Sequence, residues 1–126
     1  PIVNVNNRYD GLDFDGEYFW VIRNYPKPTL FKLSKTGKIL KEYIIPCNYV
    51  CGLDYINGFV WVNQLDDNGN RILSKFSLST NLFVETYPIN KKIGVPISID
   101  FKNKYAYITT SILSTSSIYK IKLIKE

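Results

Sequence analysis

Three aspartates occupy the same position in a stretch of sequence that occurs three times. Asp13, Asp54 and Asp100 are 41 and 46 residues apart, and each lies seven residues before a Trp or a Tyr. Carboxylates that converge on one point are ligands for a hard cation such as Ca²⁺. The alternative is that each aspartate accepts a hydrogen bond from the backbone of a neighbouring element and fixes its packing. We favour this second interpretation and expect no cofactor.

A second group of candidate residues lies in segments that read as loops. Arg, Lys and Tyr side chains suit an anionic or carbohydrate ligand, whereas the adjacent Asp66 and Asp67 suit a cation. The spacing of an EF-hand calcium loop is not met around these two aspartates, so an ordinary polar turn is favoured there. The candidate ligand-binding residues are Arg23, Tyr25, Lys27, Tyr49, Gln64, Asp66, Asp67, Lys91 and Lys92.

Several chemistries lack the residues that they require. The chain has no His, so general acid–base catalysis would depend on Asp, Glu, Lys or Tyr. Neither a G-x-S-x-G elbow nor a phosphate-binding Gly loop occurs. A zinc site is disfavoured because Cys47 and Cys51 would be its only Cys or His ligands. These two cysteines could close a small bridge, but free thiols are the favoured interpretation, and no catalytic residue is assigned.

Composition and charge favour a soluble β-rich chain. Aromatic residues make up 15% of the 126 residues, and Tyr is the most frequent of them. No apolar run approaches the roughly 18 residues of a membrane-spanning helix, and the N-terminus does not resemble a signal peptide. A cytoplasmic location is therefore favoured over secretion. The net charge is +5, but the lysines are scattered, which disfavours a nucleic-acid partner.

The repeated stretch predicts short strands joined by tight turns. Gly11-Leu12-Asp13-Phe14-Asp15-Gly16 and Gly52-Leu53-Asp54-Tyr55-Ile56-Asn57-Gly58 each predict a strand and a hairpin, with Asp15-Gly16 and Asn57-Gly58 as the turns. Helical periodicity is absent. We expect four strands in residues 10–46, four in 51–89 and three in 97–124, with a further strand at 2–5.

Two sets of side chains recur with this repeat. Trp20, Trp61 and Tyr107 are expected to pack between neighbouring sheets rather than to serve as stacking platforms. Lysines of the third strands are expected to point outward or to lie over aromatic neighbours. These lysines are Lys32, Lys75 and Lys120.

The order of strand, Asp-Gly or Asn-Gly turn and aromatic-Val strand resembles β-propeller repeats of the NHL and YVTN type and the blades of glutamine-cyclotransferase-like propellers. The resemblance covers residues 10–124. It implies an all-β propeller in which the loops around the channel mouth form the binding face. Such repeats occur in lyases, cyclases and binding modules alike, so the resemblance implies no single function. It also implies that the end blade is completed by a strand from the other end of a chain.

Three such blades would leave two apolar sheet faces uncovered. The 126 residues are therefore expected to form half of a six-bladed ring that closes as a homodimer. Strand 2–5 would complete the third blade of the same chain or, as we favour, of the partner chain. The expected function is a non-enzymatic binding or scaffold module with a protein, anionic or carbohydrate partner. The alternatives are a propeller lyase or hydrolase, cation-assisted or not, and a fragment of a longer propeller enzyme.

Overall fold

A computed structural model describes residues 9–68, 70–89, 97–100, 105–112 and 115–122 of the chain. Within these ranges the chain forms strands, turns and loops without a helix, so the all-β prediction is confirmed there. No helix that could span a membrane occurs in them. The strands are β1 (Gly11–Phe14), β2 (Phe19–Arg23), β3 (Thr29–Leu33), β4 (Ile39–Ile44), β5 (Tyr49–Ile56), β6 (Phe59–Leu65), β7 (Arg71–Ser77), β8 (Leu82–Ile89), β9 (Ile97–Asp100), β10 (Tyr105–Ile112) and β11 (Thr115–Lys122).

Each sheet consists of strands that are consecutive in the sequence. β1 to β4 form the first sheet, β5 to β8 form the second, and β9 to β11 form the third, with antiparallel pairing throughout. The first strands of successive sheets are in contact. β1 lies against β5, and β5 lies against β9. The predicted strand at residues 2–5 lies outside the described residues.

The two hairpin turns of the repeat differ in detail. Asn57 and Gly58 have φ values of 47° and 84°, and Ile56 pairs with Phe59, as predicted for a two-residue primed turn. In the first sheet the predicted central pair Asp15-Gly16 is wrong by one residue. The backbone N–H of Asp15 donates to the carbonyl of Tyr18, and only Gly16 has a positive φ, 99°. Gly16 is therefore the first central residue, which is where a type II′ turn requires Gly.

Asp15 has a structural role that its place in the turn explains. Its carboxylate accepts hydrogen bonds from the backbone N–H groups of Glu17 and Tyr18 and from the indole Nε1 of Trp20 at 2.7 Å. Burial disfavours the charged form of Asp15, but these hydrogen bonds and the charge of Lys32 lower the pKa of the carboxyl below its ordinary value of 3.8.

The main core lies between the first and second sheets. Trp20 is only 3% exposed and stacks on Tyr55 of the second sheet, with ring centroids 4.8 Å apart and planes 12° apart. Its predicted place between neighbouring sheets is therefore confirmed. Trp61 is also buried, whereas the side chain of Tyr107 lies outside what the structure describes. The buried residues of this core are Trp20, Ile22, Leu30, Tyr43, Ile45, Val50, Leu53, Val60, Val62 and Phe76.

Lysines cover the aromatic residues of both four-stranded sheets. The ammonium group of Lys32 lies 4.0 Å from the ring centroid of Tyr18, and that of Lys75 lies 4.2 Å from the ring centroid of Phe59. The prediction for these two lysines is confirmed, since each places its charge over an aromatic face. Lys120 is exposed on the third sheet.

The face of the first sheet that points away from the second carries several exposed apolar side chains. The cross-strand register places Leu12 opposite Val21, Val21 opposite Phe31 and Phe31 opposite Glu42, so these residues share one face. Val21 and Phe31 are buried on this face, and Tyr9 packs against them. The surface that we call the open face consists of the exposed residues around them: Leu12, Phe14, Leu40 and Ile44, which are 64%, 45%, 47% and 55% exposed.

The depressed pKa of Asp15 predicts a change of stability with pH. A carboxyl whose pKa is lower in the folded than in the unfolded state stabilises the fold above the unfolded pKa and loses that contribution as the pH falls through the folded pKa. Asp15→Asn should therefore be less stable than the native chain near neutral pH, and the difference should shrink as the pH falls below 3.8. Urea unfolding at several pH values measures it; a difference that stays constant down to about pH 2 would contradict the assignment.

Candidate functional site

The candidate site lies at the junction between the first and second sheets, where β2 ends and β5 begins. Asn24 follows β2 and joins the two sheets, because its side-chain Nδ2 donates to the carbonyl of Val50 at 2.9 Å and its Oδ1 accepts from the N–H of Val50 at 2.7 Å. The backbone N–H of Asn24 in turn donates to Asp10 Oδ2 at 3.0 Å. The loop after β2 is thereby fixed against the start of β5.

A concave surface opens beside this bridge. Its cavity volume is about 390 Å³, which lies within the usual range for small-molecule sites. Two tyrosine rings stand at this cavity: Tyr25 is 85% exposed and Tyr49 is 46% exposed. We call it the junction cavity, and it is lined by Asp10, Arg23, Asn24, Tyr25 and Tyr49.

Arg23 contributes a cation that is held in place by packing. Its guanidinium carbon lies 4.8 Å from the ring centroid of Phe31, which is itself buried. The Nε atom of Arg23 is buried and donates to no acceptor within the ranges that the structure describes. A buried donor without an acceptor is costly. Because Nε is buried, a ligand in the cavity would contact the other nitrogen atoms of the guanidinium group.

Three of the predicted ligand-binding residues meet at the junction cavity, and others do not. Arg23, Tyr25 and Tyr49 line it together. Lys27 is exposed in the same β2–β3 loop, but it does not line this cavity. Lys91 and Lys92 lie outside the described residues.

Gln64 is not a loop residue as predicted. It lies in β6, its side chain is 8% exposed, and its Nε2 donates to Ser74 Oγ at 2.7 Å on the neighbouring strand. The polar side chain suggested a loop, but the cross-strand hydrogen bond satisfies its donor inside the sheet.

Asp66 and Asp67 organise the β6–β7 loop. Asp66 accepts hydrogen bonds from the backbone N–H groups of Asn68 and Asn70, and Asp67 accepts from the side chain of Asn48. The hydrogen bond from the Asn70 backbone lowers the pKa of Asp66. Desolvation opposes this shift, and weaker hydrogen bonds from the Asn70 side chain and the Asn68 backbone add to it. This is the polar turn that the sequence favoured.

Asp13, the first of the repeated aspartates, acts at the junction between sheets rather than at the cavity. Asp13 Oδ2 accepts a hydrogen bond of 2.7 Å from the backbone N–H of Tyr55, and its Oδ1 accepts one from Phe14. The hydrogen bond to a neighbouring element that we favoured is therefore present at Asp13. Asp54 also has an interaction partner, and the side chain of Asp100 lies outside the described residues. Among the side chains described, no three His, Cys, Asp or Glu residues are grouped closely enough to hold a metal ion.

Cys47 and Cys51 are free thiols, as the sequence favoured. Burial raises the pKa of Cys47 to about 11; a hydrogen bond from the Tyr49 backbone opposes this rise, and a smaller effect of Cys51 adds to it. Burial also raises the pKa of Cys51, although Arg71 beside it favours the thiolate and donates a hydrogen bond to its sulfur. Neither thiol is therefore prepared for nucleophilic chemistry at neutral pH.

Sequence reasoning missed two residues of the site, Asp10 and Asn24. A comparison between the repeats would have singled them out, because the residues 41 positions later are Cys51 and Leu65, which have different chemistry. Polar residues that appear in only one copy of a repeat are not needed to build the repeat.

Comparisons with known proteins identify no relative of this chain. No protein-family model matches the sequence, and no curated protein matches it with significance. The function must therefore be argued from the geometry described above.

Removal of the Asn24 side chain should destabilise the fold. Asn24→Ala leaves the N–H and carbonyl of Val50 without their partners at a residue that is 2% exposed. A lost buried hydrogen-bond partner costs about 1–3 kcal/mol of unfolding free energy. Asn68→Ala, at an exposed position, is the matched control and should change stability by less than about 0.5 kcal/mol. Equal losses in urea unfolding of the two variants would show that the Asn24 bridge contributes nothing.

The raised pKa of Cys47 predicts slow alkylation. A rise from 9.0 to about 11 lowers the thiolate fraction at neutral pH by about 100-fold. In a Cys51→Ser background, iodoacetamide should therefore modify folded Cys47 about 100 times more slowly at about pH 8 than it does in denaturant. Equal rates in the folded and unfolded chain would refute the raised pKa.

Proposed function

We propose that this chain is half of a homodimeric six-bladed β-propeller that acts as a non-enzymatic binding module, with its ligand at the junction cavity. Each of the first two sheets would be a blade. In support, the sheets are meanders of consecutive strands, and their first strands lie side by side. Short meander sheets arranged around their first strands are typical of propellers.

The open face supports ring closure by a second copy. Leu53 occupies the position in the second sheet that Leu12 occupies in the first, yet Leu53 is 7% exposed and Leu12 is 64% exposed. The difference arises because the Trp20 side of the first sheet covers Leu53, whereas no described sheet covers Leu12. A face that is buried in one copy of a repeat and exposed in another lacks a neighbouring sheet.

The third sheet of a partner chain would fit this face. Tyr107 pairs with Lys120 across β10 and β11, in the same way that Trp20 pairs with Lys32 and Trp61 pairs with Lys75. The third sheet therefore carries an aromatic–lysine cross-strand pair like the Trp20–Lys32 pair of the first sheet. In the first sheet, the side that carries Trp20 is the one that covers Leu53. In the proposed ring the third sheet covers Leu12 and Phe14 of the second copy, and the same contact is made twice about a twofold axis.

The junction cavity is the single observation that carries the binding function. Among the residues that the structure describes, its concave surface is lined by one cation, one carboxylate, one amide and two tyrosine rings, and Asn24 fixes the loop that supplies two of them. An aromatic lining with a few convergent polar groups is typical of a ligand site. Cation-assisted lyase or hydrolase chemistry has no comparable support, since Asp13 is engaged by the backbone of Tyr55.

The oligomeric state tests the proposed ring. Size-exclusion chromatography with light scattering should give twice the chain mass for the native protein. Leu12→Asp places a charge on the open face and should weaken dimerisation by at least about tenfold, because burying a charge without a partner is costly. Leu82→Asp, at an apolar position on the second sheet that is 61% exposed, is the control and should leave the dimer intact.

Two results would overturn the ring. One is a native chain that remains monomeric at about 100 µM, a concentration above the dissociation constant of a typical weak complex. The other is an equal effect of Leu12→Asp and Leu82→Asp on the mass, which would show that the open face has no special part in association.

A further inference from the structure

We infer that the junction cavity binds an acidic sugar, meaning a pyranose ring that carries a carboxylate. This inference rests on the proposed binding function and names the class of ligand. It is based on three features of the cavity: a cation, two exposed aromatic rings, and a carboxylate that lines the same space.

The carboxylate of the ligand would bind Arg23. A guanidinium presents a planar set of donors that matches the two oxygens of a carboxylate. Packing over Phe31 holds the Arg23 side chain in position. Its Nε is buried, so the ligand carboxylate would pair with the other nitrogen atoms of the guanidinium group, since Arg23 lines the cavity.

The ring of the ligand would pack on the tyrosines. Tyr25 and Tyr49 present rings that are 85% and 46% exposed at the cavity, although large aromatic groups are usually buried. The C–H face of a pyranose is apolar and flat enough to lie on such a ring, and the tyrosine hydroxyls can bond the sugar hydroxyls at its edge.

The presence of Asp10 selects a sugar over other anions. A carboxylate beside the cation repels phosphate groups and nucleic acid, but it accepts hydrogen bonds from hydroxyl groups. Asp10 accepts hydrogen bonds from the backbone and side chain of Asn24, which hold its carboxylate at the cavity. A ligand that combines one carboxylate with several hydroxyls is therefore complementary to both charges.

NMR titration of the ¹⁵N-labelled protein with D-glucuronate tests this inference. The backbone amide resonances of Asn24, Tyr25 and Tyr49 should shift and saturate, because these residues line the cavity. D-glucose shares the ring but lacks the carboxylate, and acetate has the carboxylate but no ring. Each should bind at least about tenfold more weakly than glucuronate, since each makes only part of the contacts.

Variants separate the contributions of the side chains. Arg23→Gln should reduce the affinity for glucuronate by at least about tenfold and leave the weak affinity for glucose unchanged. Tyr25→Ala, at a residue that is 85% exposed, should weaken the binding of both sugars by about fivefold. Lys35→Gln removes an exposed positive charge from the β3–β4 turn, outside the cavity, and should change neither affinity by more than about twofold.

Each other outcome overturns the inference in an identifiable way. If glucose binds as well as glucuronate, the cavity is a neutral-sugar site. If acetate binds equally well, or inorganic phosphate binds more strongly, it is a general anion site. The absence of any saturable shift would exclude an acidic-sugar site. Light scattering on the same samples separates this result from the proposed ring. A dimer that does not bind glucuronate refutes only the sugar, and a monomer that binds it refutes only the ring.

Discussion

The structure depends on one constraint: a sheet with apolar residues on both faces must be covered on both faces. The first junction shows how this is achieved. Stacking of Trp20 on Tyr55 buries the apolar surface, and the hydrogen bond from the Tyr55 N–H to Asp13 fixes how far the sheets can slide past each other. Apolar burial is non-directional, so the hydrogen bond supplies the orientation that burial cannot.

Much of the fold could be predicted because the repeat expresses this constraint three times. The Asn57-Gly58 turn, the burial of Trp20 and the lysines over aromatic rings all follow from residue types at fixed spacings. The errors occurred where one side chain has a partner that the spacing does not reveal. The Asp-Gly pair predicts Asp15 as a central turn residue, but the Trp20 indole and the turn backbone hold it one place earlier. The polar sequence predicts a loop at Gln64, because nothing nearby in the sequence indicates its partner Ser74, which lies ten residues away.

The candidate site was predicted only in part, for a related reason. Arg23, Tyr25 and Tyr49 were chosen by their chemistry, whereas Asp10 and Asn24 were missed. Residues that build the repeat recur in it, so a single sequence reveals them through its own periodicity. Residues that bind a ligand are needed at one junction only and do not recur. Departures from the repeat, such as Asn24 where the next copy has Leu65, are therefore the places in which ligand chemistry should be sought.

The position of the junction cavity has consequences for the proposed ring. The residues that line the cavity all belong to one chain, and Arg23 shares a face with Val21 and Phe31, next to the surface that the partner would cover. A twofold axis along the channel would place the two copies of the cavity on the same side of the ring. Two weak sites on one surface bind a repeating polymer with an avidity that neither has alone, provided that the ligand spans the distance between them. Dimerisation through the open face would then do more than cover apolar surface: it would turn a shallow monosaccharide site into a surface that recognises a chain of acidic sugars.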